Sequence, residues 1–321
     1  MKIKFWGTRG SLPAPLTAGE VKRKVTEAVR LALEQKVKSE EIETWVDKLP
    51  FNVNGTFGGN TTCVEVVCMD GVLVIDLGSG IREFGKAILP DMFLRKGLTI
   101  HFLMSHVHWD HTQGFPFFAP IFISRKVLPN NKFIFYGGTQ WQKTLEEVLR
   151  GQMDPPAFPI EWEKIIAEGP EMEFHTIYNG YEKEISKINL SAKRLHHPNE
   201  TYGWRIEHQG KVFVFASDTE PYPTGPDPVL IELAKEADVL YLDGQYSLEQ
   251  YKGQDGPPRL GWGHGYDRWC GEVAKAAKVK LLLIGHHDPS NDDEKIAEIV
   301  NHAKEVFKNT YGAYDGLELC L

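Results

Sequence analysis

The sequence is poor in the features that mark membrane, disulfide-rich and nucleic-acid-binding proteins. Its apolar runs fall far short of the about 20 residues that span a bilayer, so we expect no membrane anchor. It has four cysteines, and no pair has the C-x-x-C spacing of a zinc or redox motif. Acidic residues (44) outnumber basic ones (36), and the net charge of −8 disfavours a broad surface for long nucleic acids.

The overall composition is that of an ordinary globular protein. Hydrophobic residues make up 42% and charged residues 25%, which is enough apolar material for a buried core. The N-terminal M-K-I-K-F-W-G predicts a β-strand and not a signal peptide, so we expect a cytoplasmic location. Candidate functional residues run from His106 to His286, which favours one domain over residues 1–321.

The most informative segment is Ser105 to His111, S-H-V-H-W-D-H, which follows the predicted apolar strand Thr99 to Met104. One residue separates His106 from His108, so a short turn can direct both imidazoles at one ion, while Asp110 and His111 diverge toward a second. Imidazole and carboxylate together suit zinc and similar borderline ions. The segment therefore predicts part of a two-metal site.

Two metal ions need about three more ligands from elsewhere in the chain. Three further groups follow predicted strands, namely His196-His197-Pro198, Ser217-Asp218-Thr219 and His286-His287-Asp288. Loops at the carboxyl ends of strands converge at one edge of a sheet, whereas residues inside strands cannot. The pattern predicts a site built along one such edge.

The H-x-H-x-D-H pattern at 106–111 resembles the signature of the metallo-β-lactamase superfamily. The resemblance implies an α/β fold, specifically an αββα sandwich of two mixed sheets with helices on the outer faces. It also implies two divalent metal ions at one rim. Zinc is the first expectation, with manganese or iron as alternatives, because all three accept nitrogen and oxygen ligands.

The same resemblance assigns the ligands. Asp76, in V-L-V-I-D-L-G-S-G, matches the superfamily's first motif, in which the aspartate orients the ligand loop without binding metal. The doubled histidines leave the register open by one residue, and we favour His197, beside a proline, and His286, the first residue after its strand. The ligand set is then His106, His108 and His197 for one ion, Asp110, His111 and His286 for the other, and Asp218 as the bridge.

The expected reaction is hydrolysis, because two metal ions lower the pKa of a bound water so that hydroxide can attack near neutral pH. True β-lactamases lack an aspartate at the bridging position, so Asp218 favours phosphodiesterases or thioester hydrolases. Gly261 to Gly265, G-W-G-H-G, precedes the predicted helix Asp267 to Ala277 and resembles phosphodiesterases and transfer-RNA 3′-processing enzymes. His264 is the candidate charge stabiliser or general acid, and Asp110 is the second catalytic candidate.

Two N-terminal motifs refine the resemblance. F-W-G-T-R-G-S-L-P and F-G-G-N-T-T (57–62) are similar to a cyclic-nucleotide phosphodiesterase-like subgroup, in which Arg9 and Asn60 are weak candidates for substrate contacts. The leading hypothesis is hydrolysis of a small cyclic nucleotide or related phosphodiester. The alternatives are a ribonuclease Z-like RNA 3′ endonuclease, a hydrolase of a carbon-centred ester, thioester or lactone, and a metal-free scaffold.

A helical hairpin over residues 18–50 interrupts the resemblance. Apolar residues recur every four positions in the predicted helix Ala18 to Lys38, and a second helix is predicted over Glu40 to Leu49. The insertion carries seven basic and seven acidic residues. This balance disfavours an RNA-binding arm and favours a packing or homodimer contact, while substrate gating stays open.

Overall fold

The computed structural model of the chain describes residues 1–69 and 71–321, and its strands form two mixed sheets. The strands are β1 (Lys2–Gly7), β2 (Cys63–Cys68), β3 (Gly71–Ile75), β4 (Thr99–Leu103), β5 (Lys132–Gly137), β6 (Glu171–Thr176), β7 (Tyr181–Ile185), β8 (Ile188–Leu195), β9 (Thr201–His208), β10 (Lys211–Ala216), β11 (Val239–Asp243), β12 (Leu281–Gly285), β13 (Thr310–Gly312) and β14 (Glu318–Cys320).

Helices lie between the strands. They are α1 (Ala18–Glu34), α2 (Ile42–Val46), α3 (Phe51–Asn54), α4 (Ile81–Leu94), α5 (Trp109–Thr112), α6 (Leu145–Gln152), α7 (Trp162–Glu168), α8 (Pro228–Ala234), α9 (Leu248–Lys252), α10 (Asp267–Ala276) and α11 (Asp293–Val306), with 3₁₀ turns at Ser39–Glu41, Phe115–Phe117 and Ala119–Phe122. None of the helices in the described ranges combines the length and the apolar character that a membrane span requires.

The two sheets have similar organisation. The first has the order β14-β1-β2-β3-β4-β5-β6 and the second β13-β12-β11-β10-β9-β8-β7. Strands β3 to β6 are parallel, as are β10 to β13, while the remaining neighbours are antiparallel. Runs rich in β-branched and aromatic residues predict ten of these strands, with ends within three residues of the observed ones. The predicted ranges are Ile3 to Trp6, Thr62 to Cys68, Val72 to Asp76, Thr99 to Met104, Lys132 to Tyr136, Leu190 to Leu195, Trp204 to Glu207, Lys211 to Ala216, Val239 to Asp243 and Lys280 to Ile284.

The core lies in three layers. Side chains of both sheets share the central layer, which includes Phe5, Trp204 and Phe213. A second layer packs α8, α10 and α11 on the outer face of the second sheet, and a third packs α4, α6 and α7 on the first. This arrangement confirms the predicted αββα sandwich.

Strand direction gathers the candidate site residues. Parallel pairing of β3 with β4 puts the residues after both strands at one end of the first sheet. In the second sheet β10, β11 and β12 are parallel, and β8 runs the same way because β9 is antiparallel to both of its neighbours. The carboxyl ends of β8, β10, β11 and β12 therefore lie at the same edge of the second sheet.

The insertion differs from the prediction in length and in packing. Helix α1 ends at Glu34, since Lys36 has a left-handed φ of 53°, and the second segment is a 3₁₀ turn followed by the short α2. The apolar stripe of α1 faces solvent, with Val25 58% and Leu33 74% exposed. Lys24 holds the helix to the body, because its Nζ lies 2.7 Å from Asp293 Oδ2.

We predict that Trp204→Phe destabilises the sandwich. The Trp204 indole is fully buried between the sheets, and its Nε1 donates to the Met104 carbonyl (3.0 Å), just before the histidine-rich turn. Losing this buried donor should lower the free energy of unfolding by about 1 to 3 kcal/mol in urea titrations. In Trp45→Phe, the lost donor bonds Gln35 at the exposed insertion, so the change should stay within about 0.5 kcal/mol. Equal losses in the two variants would contradict this account.

Candidate metal centre

The histidine-rich turn after β4 is held by Asp76 at the end of β3. The buried Asp76 carboxylate accepts from the backbone N–H of Ser105 (2.7 Å) and from its Oγ (2.7 Å), and it lies 2.8 Å from His111 Nδ1. A carboxylate at Nδ1 fixes the imidazole tautomer that leaves the Nε2 lone pair free. Asp76 therefore sits where the sequence predicted an orienting residue.

The first histidine cluster contains the side chains of His106, His108, His197 and Asp218, which offer ligand atoms within 4.8 Å of one another. His197 Nε2 lies 3.4 Å from His108 Nδ1, and His106 Nε2 lies 3.7 Å from Asp218 Oδ1. His106 Nε2 is buried and has no hydrogen-bond partner. Such an orphaned lone pair inside a protein fits a cation as its partner.

The second cluster has the dimensions of a tetrahedral metal site. His111 Nε2 lies 3.3 Å from His286 Nε2, 3.3 Å from Asp110 Oδ2 and 3.1 Å from Asp218 Oδ2. His286 Nε2 lies 3.2 and 3.3 Å from the same two oxygens. Four ligands at 2.0 to 2.1 Å from a tetrahedral ion are separated by roughly 3.3 to 3.4 Å. The donor set and its spacing therefore fit a zinc-sized ion.

Asp218 belongs to both clusters. Its Oδ1 is the oxygen near His106, whereas its Oδ2 is the oxygen near His111 and His286. Ser217 Oγ donates to Oδ2 at 2.6 Å and fixes the carboxylate. One carboxylate thus presents a different oxygen to each cluster.

Strained backbone supports three of these positions. Asp76 and His286 come directly after a strand and have φ of 60° and 56°, and Asp218, two residues after β10, has φ of 53°. Residues other than glycine cost of order 1 to 3 kcal/mol in such conformations, and they persist where the surrounding structure holds them for a function. The left-handed turn redirects each side chain toward the shared rim.

His264 lies beside the clusters and is held by Asp243, a residue that the sequence analysis missed. His264 Nδ1 lies 2.8 Å from Asp243 Oδ2, and its ring is stacked 5.0 Å from that of His286. Asp243 is fully buried at the end of β11. Its sequence signal was the run V-L-Y-L-D, which repeats the apolar strand and terminal aspartate of V-L-V-I-D at Asp76.

The glycine loop that carries His264 is fastened by another missed residue, Glu220. Its carboxylate accepts from the N–H groups of Gly261 (2.7 Å) and Gly263 (2.9 Å). The Gly263 carbonyl in turn lies 2.9 Å from His197 Nδ1. A Cβ at Gly263 would lie 2.1 Å from that nitrogen, so only glycine fits there.

The structure separates the doubled histidines. His197 and His286 belong to the clusters. By contrast, His196 Nδ1 lies 2.9 Å from the Glu220 carbonyl oxygen, and the His196 ring stacks on that of Tyr222. His287 Nε2 meets the Ala313 carbonyl at 2.8 Å. Burial, with the nearby Arg9 charge, lowers the pKa of His287 to about 3, so this histidine stays neutral.

Arg9, one of the two weak candidates for substrate contacts, is bonded to other parts of the chain. The side chain is 3% exposed, and its Nε and Nη1 donate to the backbone carbonyls of Gly58 (2.8 Å), Asp288 (3.0 Å) and Asn291 (2.8 Å). Arg9 thus joins backbone segments that are distant in the sequence, and its substrate contact stays a prediction. Asn60 is partly exposed, and its Oδ1 accepts from Ser79 Oγ at 3.0 Å; its substrate contact stays a prediction.

The charges of the centre require compensation. Asp76, Asp110, Asp218 and Asp243 are all buried against site histidines. Burial raises the pKa of Asp110, but His111 and His286 outweigh it and hold the pKa below its ordinary value. Burial lowers the pKa of His286, yet Asp218 and Asp110 raise it to about 9. Four buried carboxylates among imidazoles form a negative site of the kind that divalent cations bind.

A sandwich with histidines and aspartates in this arrangement at one rim defines a metal-dependent hydrolase. The chain belongs to the β-lactamase superfamily, since residues 92–287 match the family described as the beta-lactamase superfamily domain. The fold of this family implies divalent metal ions.

Similar proteins agree with this assignment. Ribonuclease BN of Enterobacter sp. (strain 638) is 23% identical over 297 residues, which cover 78% of this chain and 90% of that protein. The metallo-beta-lactamase fold protein YhfI from Bacillus subtilis superposes with a TM-score of 0.65 and 15% identity, over 99% of this chain and 98% of that chain. A diphosphatase from the PhnP family superposes with a TM-score of 0.62 and 16% identity, over 100% of this chain and 97% of that chain. At these identities the two structures show the fold alone.

We predict that Asp76→Asn weakens zinc binding by about 10- to 100-fold, the usual effect of removing a group that orients a metal-binding histidine. An amide cannot accept at both Ser105 and His111, so the imidazole loses its fixed orientation. Competition with a chromogenic chelator measures the affinity, and circular dichroism checks the fold. Asp91→Asn, on the exposed side of α4, is the matched control. Equal zinc affinity in the two variants would rule out an orienting role for Asp76.

Proposed function

We propose that the chain is a two-metal phosphodiesterase that hydrolyses a small cyclic nucleotide or a related phosphodiester. The observation that carries the proposal is Asp218, whose two carboxylate oxygens face different ligand clusters. A carboxylate shared in this way matches the bridging aspartate of phosphodiesterases, and true β-lactamases lack it. We assign His106, His108 and His197 to one ion, and Asp110, His111 and His286 to the other.

When bound, two divalent ions, zinc in our proposal, supply Lewis acidity and a water of lowered pKa. The chain's own residues hold the ligand side chains in place. Ser11 donates its backbone N–H to Asp110 Oδ2 (2.7 Å), which orients that carboxylate toward His286. Asp76 does the same for His111 through Nδ1. Preorganised groups of this kind require no rearrangement during the reaction.

The leaving alkoxide requires a proton, and His264 is placed to supply it. Asp243 holds Nδ1 of His264, which leaves Nε2 as the nitrogen that can face the substrate. In our proposal the P–O bond to the leaving group breaks as the Nε2 proton of His264 passes to that oxygen. Asp243 then stabilises the orientation of the ring, as the carboxylate does in other carboxylate–histidine pairs.

Ribonuclease activity is the second candidate, favoured by the similarity to Ribonuclease BN. Against it, the net charge of −8 opposes an extended RNA surface. The insertion at 18–50 carries equal numbers of basic and acidic residues, and the cation Lys24 is already paired with Asp293. We therefore rank a small phosphodiester above RNA.

The proposal is tested first by elemental analysis combined with hydrolysis of bis(p-nitrophenyl) phosphate. We expect two equivalents of metal and turnover that a chelator abolishes and zinc, manganese or iron restores. His108→Ala and Asp218→Ala should lose metal and activity while keeping the fold, because each removes a proposed ligand. Wild-type turnover by metal-depleted Asp218→Ala would overturn the bridging assignment.

The other outcomes select the alternatives. Two metals without phosphodiester turnover would replace our proposal by a carbon-centred ester, thioester or lactone substrate, and absence of metal would replace it by a scaffold. For an active enzyme, adenosine cyclic monophosphates are compared with an RNA that carries a 3′ extension. Faster cleavage of the RNA would replace our proposal by a ribonuclease.

We predict that His264→Ala keeps both metals and lowers turnover by roughly 100-fold or more, the usual scale for a general acid. A substrate with a good leaving group, p-nitrophenolate, should lose less than an alkyl ester, because it needs no proton. Elemental analysis of the variant separates this role from ligation. Loss of metal in His264→Ala would mean that the histidine is a ligand instead.

A further inference from the structure

A small pocket adjoins the first histidine cluster. Its volume is about 250 Å³, and its lining includes Gln140, Trp141, Arg194, Pro198 and Asn199. Pro198 and Asn199 directly follow His197 in the chain. The Asn199 side-chain amide is hydrogen-bonded to Nε2 of His108, whose Nδ1 faces His197. The pocket therefore begins one side chain away from the metal centre.

Trp141 forms one wall and is unusually exposed for its size. It occupies the tip of a tight turn closed by two backbone hydrogen bonds between Gln140 and Lys143 (3.0 and 2.8 Å). Trp141 and Gln142 both have left-handed φ, of 49° and 64°, which glycine or asparagine usually supplies. The indole is 87% exposed. A strained local backbone thus exposes a large aromatic surface beside the pocket.

The remaining wall is polar. Arg194 Nη1 lies 2.9 Å from Glu200 Oε1, and Gln140 donates its side-chain amide to the Glu200 carbonyl. The pocket thereby combines an aromatic face with guanidinium, amide and carboxylate groups. This is the combination that proteins use for single nucleobases, in which the ring stacks and its edge forms hydrogen bonds.

We propose that this pocket binds the nucleobase of the substrate, stacked on Trp141 with its edge toward Arg194 and Asn199, while the phosphodiester lies at the metal centre. The inference rests on the proposed function and narrows it to phosphodiesters that carry a base. About 250 Å³ is below the 300 Å³ typical of sites for drug-sized ligands, so the pocket admits one ring system. Stacking on an open indole accepts any base, because every base has a π-face.

Two chromogenic esters test the proposal, thymidine 5′-(p-nitrophenyl phosphate) and methyl p-nitrophenyl phosphate. They share the leaving group, and one carries a nucleoside where the other carries a methyl group. Trp141→Ala should lower kcat/KM for the thymidine ester by about 5- to 150-fold, mainly through KM, since stacking contributes that much per base. The methyl ester should be unaffected. Trp141→Phe should restore most of the loss, and Trp45→Ala, on the insertion, should change neither ester.

Binding of adenosine 5′-monophosphate, measured by calorimetry on the wild type and Trp141→Ala, provides a readout without turnover. If the wild type hydrolyses neither ester, the proposed phosphodiesterase function is contradicted. The binding measurement still tests whether the pocket binds a nucleotide. Hydrolysis of both esters with no selective loss in Trp141→Ala, or unaltered nucleotide binding, would overturn the inference.

The source of the base is identified by competition with decaadenylate. Binding no tighter than that of the mononucleotide supports a free nucleotide. Tighter binding that weakens steeply with salt would assign the pocket to the end of an RNA chain and overturn the small-substrate form of the inference.

Discussion

The arrangement of buried negative charge at one rim of the sandwich constrains the rest of the structure. Burial of an ionised carboxylate costs several kcal/mol unless a partner of opposite charge lies close by. Here Asp76, Asp110, Asp218 and Asp243 are buried within one group of imidazoles. The two-sheet architecture tolerates them because it supplies histidines from both sheets, and the divalent ions that the family's fold implies would complete the balance. The strained turns after β3, β10 and β12 serve the same end, since they direct the side chains inward.

The sequence predicted the architecture well because the strands that build the centre are apolar, β-branched and followed by polar residues. It did not anticipate β6 and β7, whose E-M-E-F-H-T and Y-E-K-E-I are largely polar and exposed, or the three-residue β13 and β14. Short or polar strands depend on pairing with neighbours that are distant in the chain, and local patterns do not record this. The apolar stripe of α1 indicated the helix, but it could not show which surface the stripe faces, since an amphipathic helix need not pack on its own chain.

At the site, local sequence was informative where spacing alone fixed the geometry, as in Ser105 to His111. It was ambiguous for His196 and His197, because the direction of each ring depends on Glu220 and on Gly263, which are distant in sequence. It did not indicate the structural partners of Arg9, which belong to loops near residues 58 and 288–291. Asp243 could have been predicted as a site residue, since an aspartate follows the apolar run at Asp243 as it does at Asp76. Its role could not, because that role depends on the position of His264.

The order of the site residues along the chain also bears on how the protein is made. His286 follows His106 by 180 residues, and Asp218 lies between them. At about 5 to 20 residues per second, a ribosome needs roughly 10 to 40 s to pass from the first of these histidines to the last. Early in that interval the emerged segment contains His106 to His111 without the carboxylate or the imidazoles of the second sheet. The full set of candidate ligands therefore exists only after the strand β12 that precedes His286 has been made.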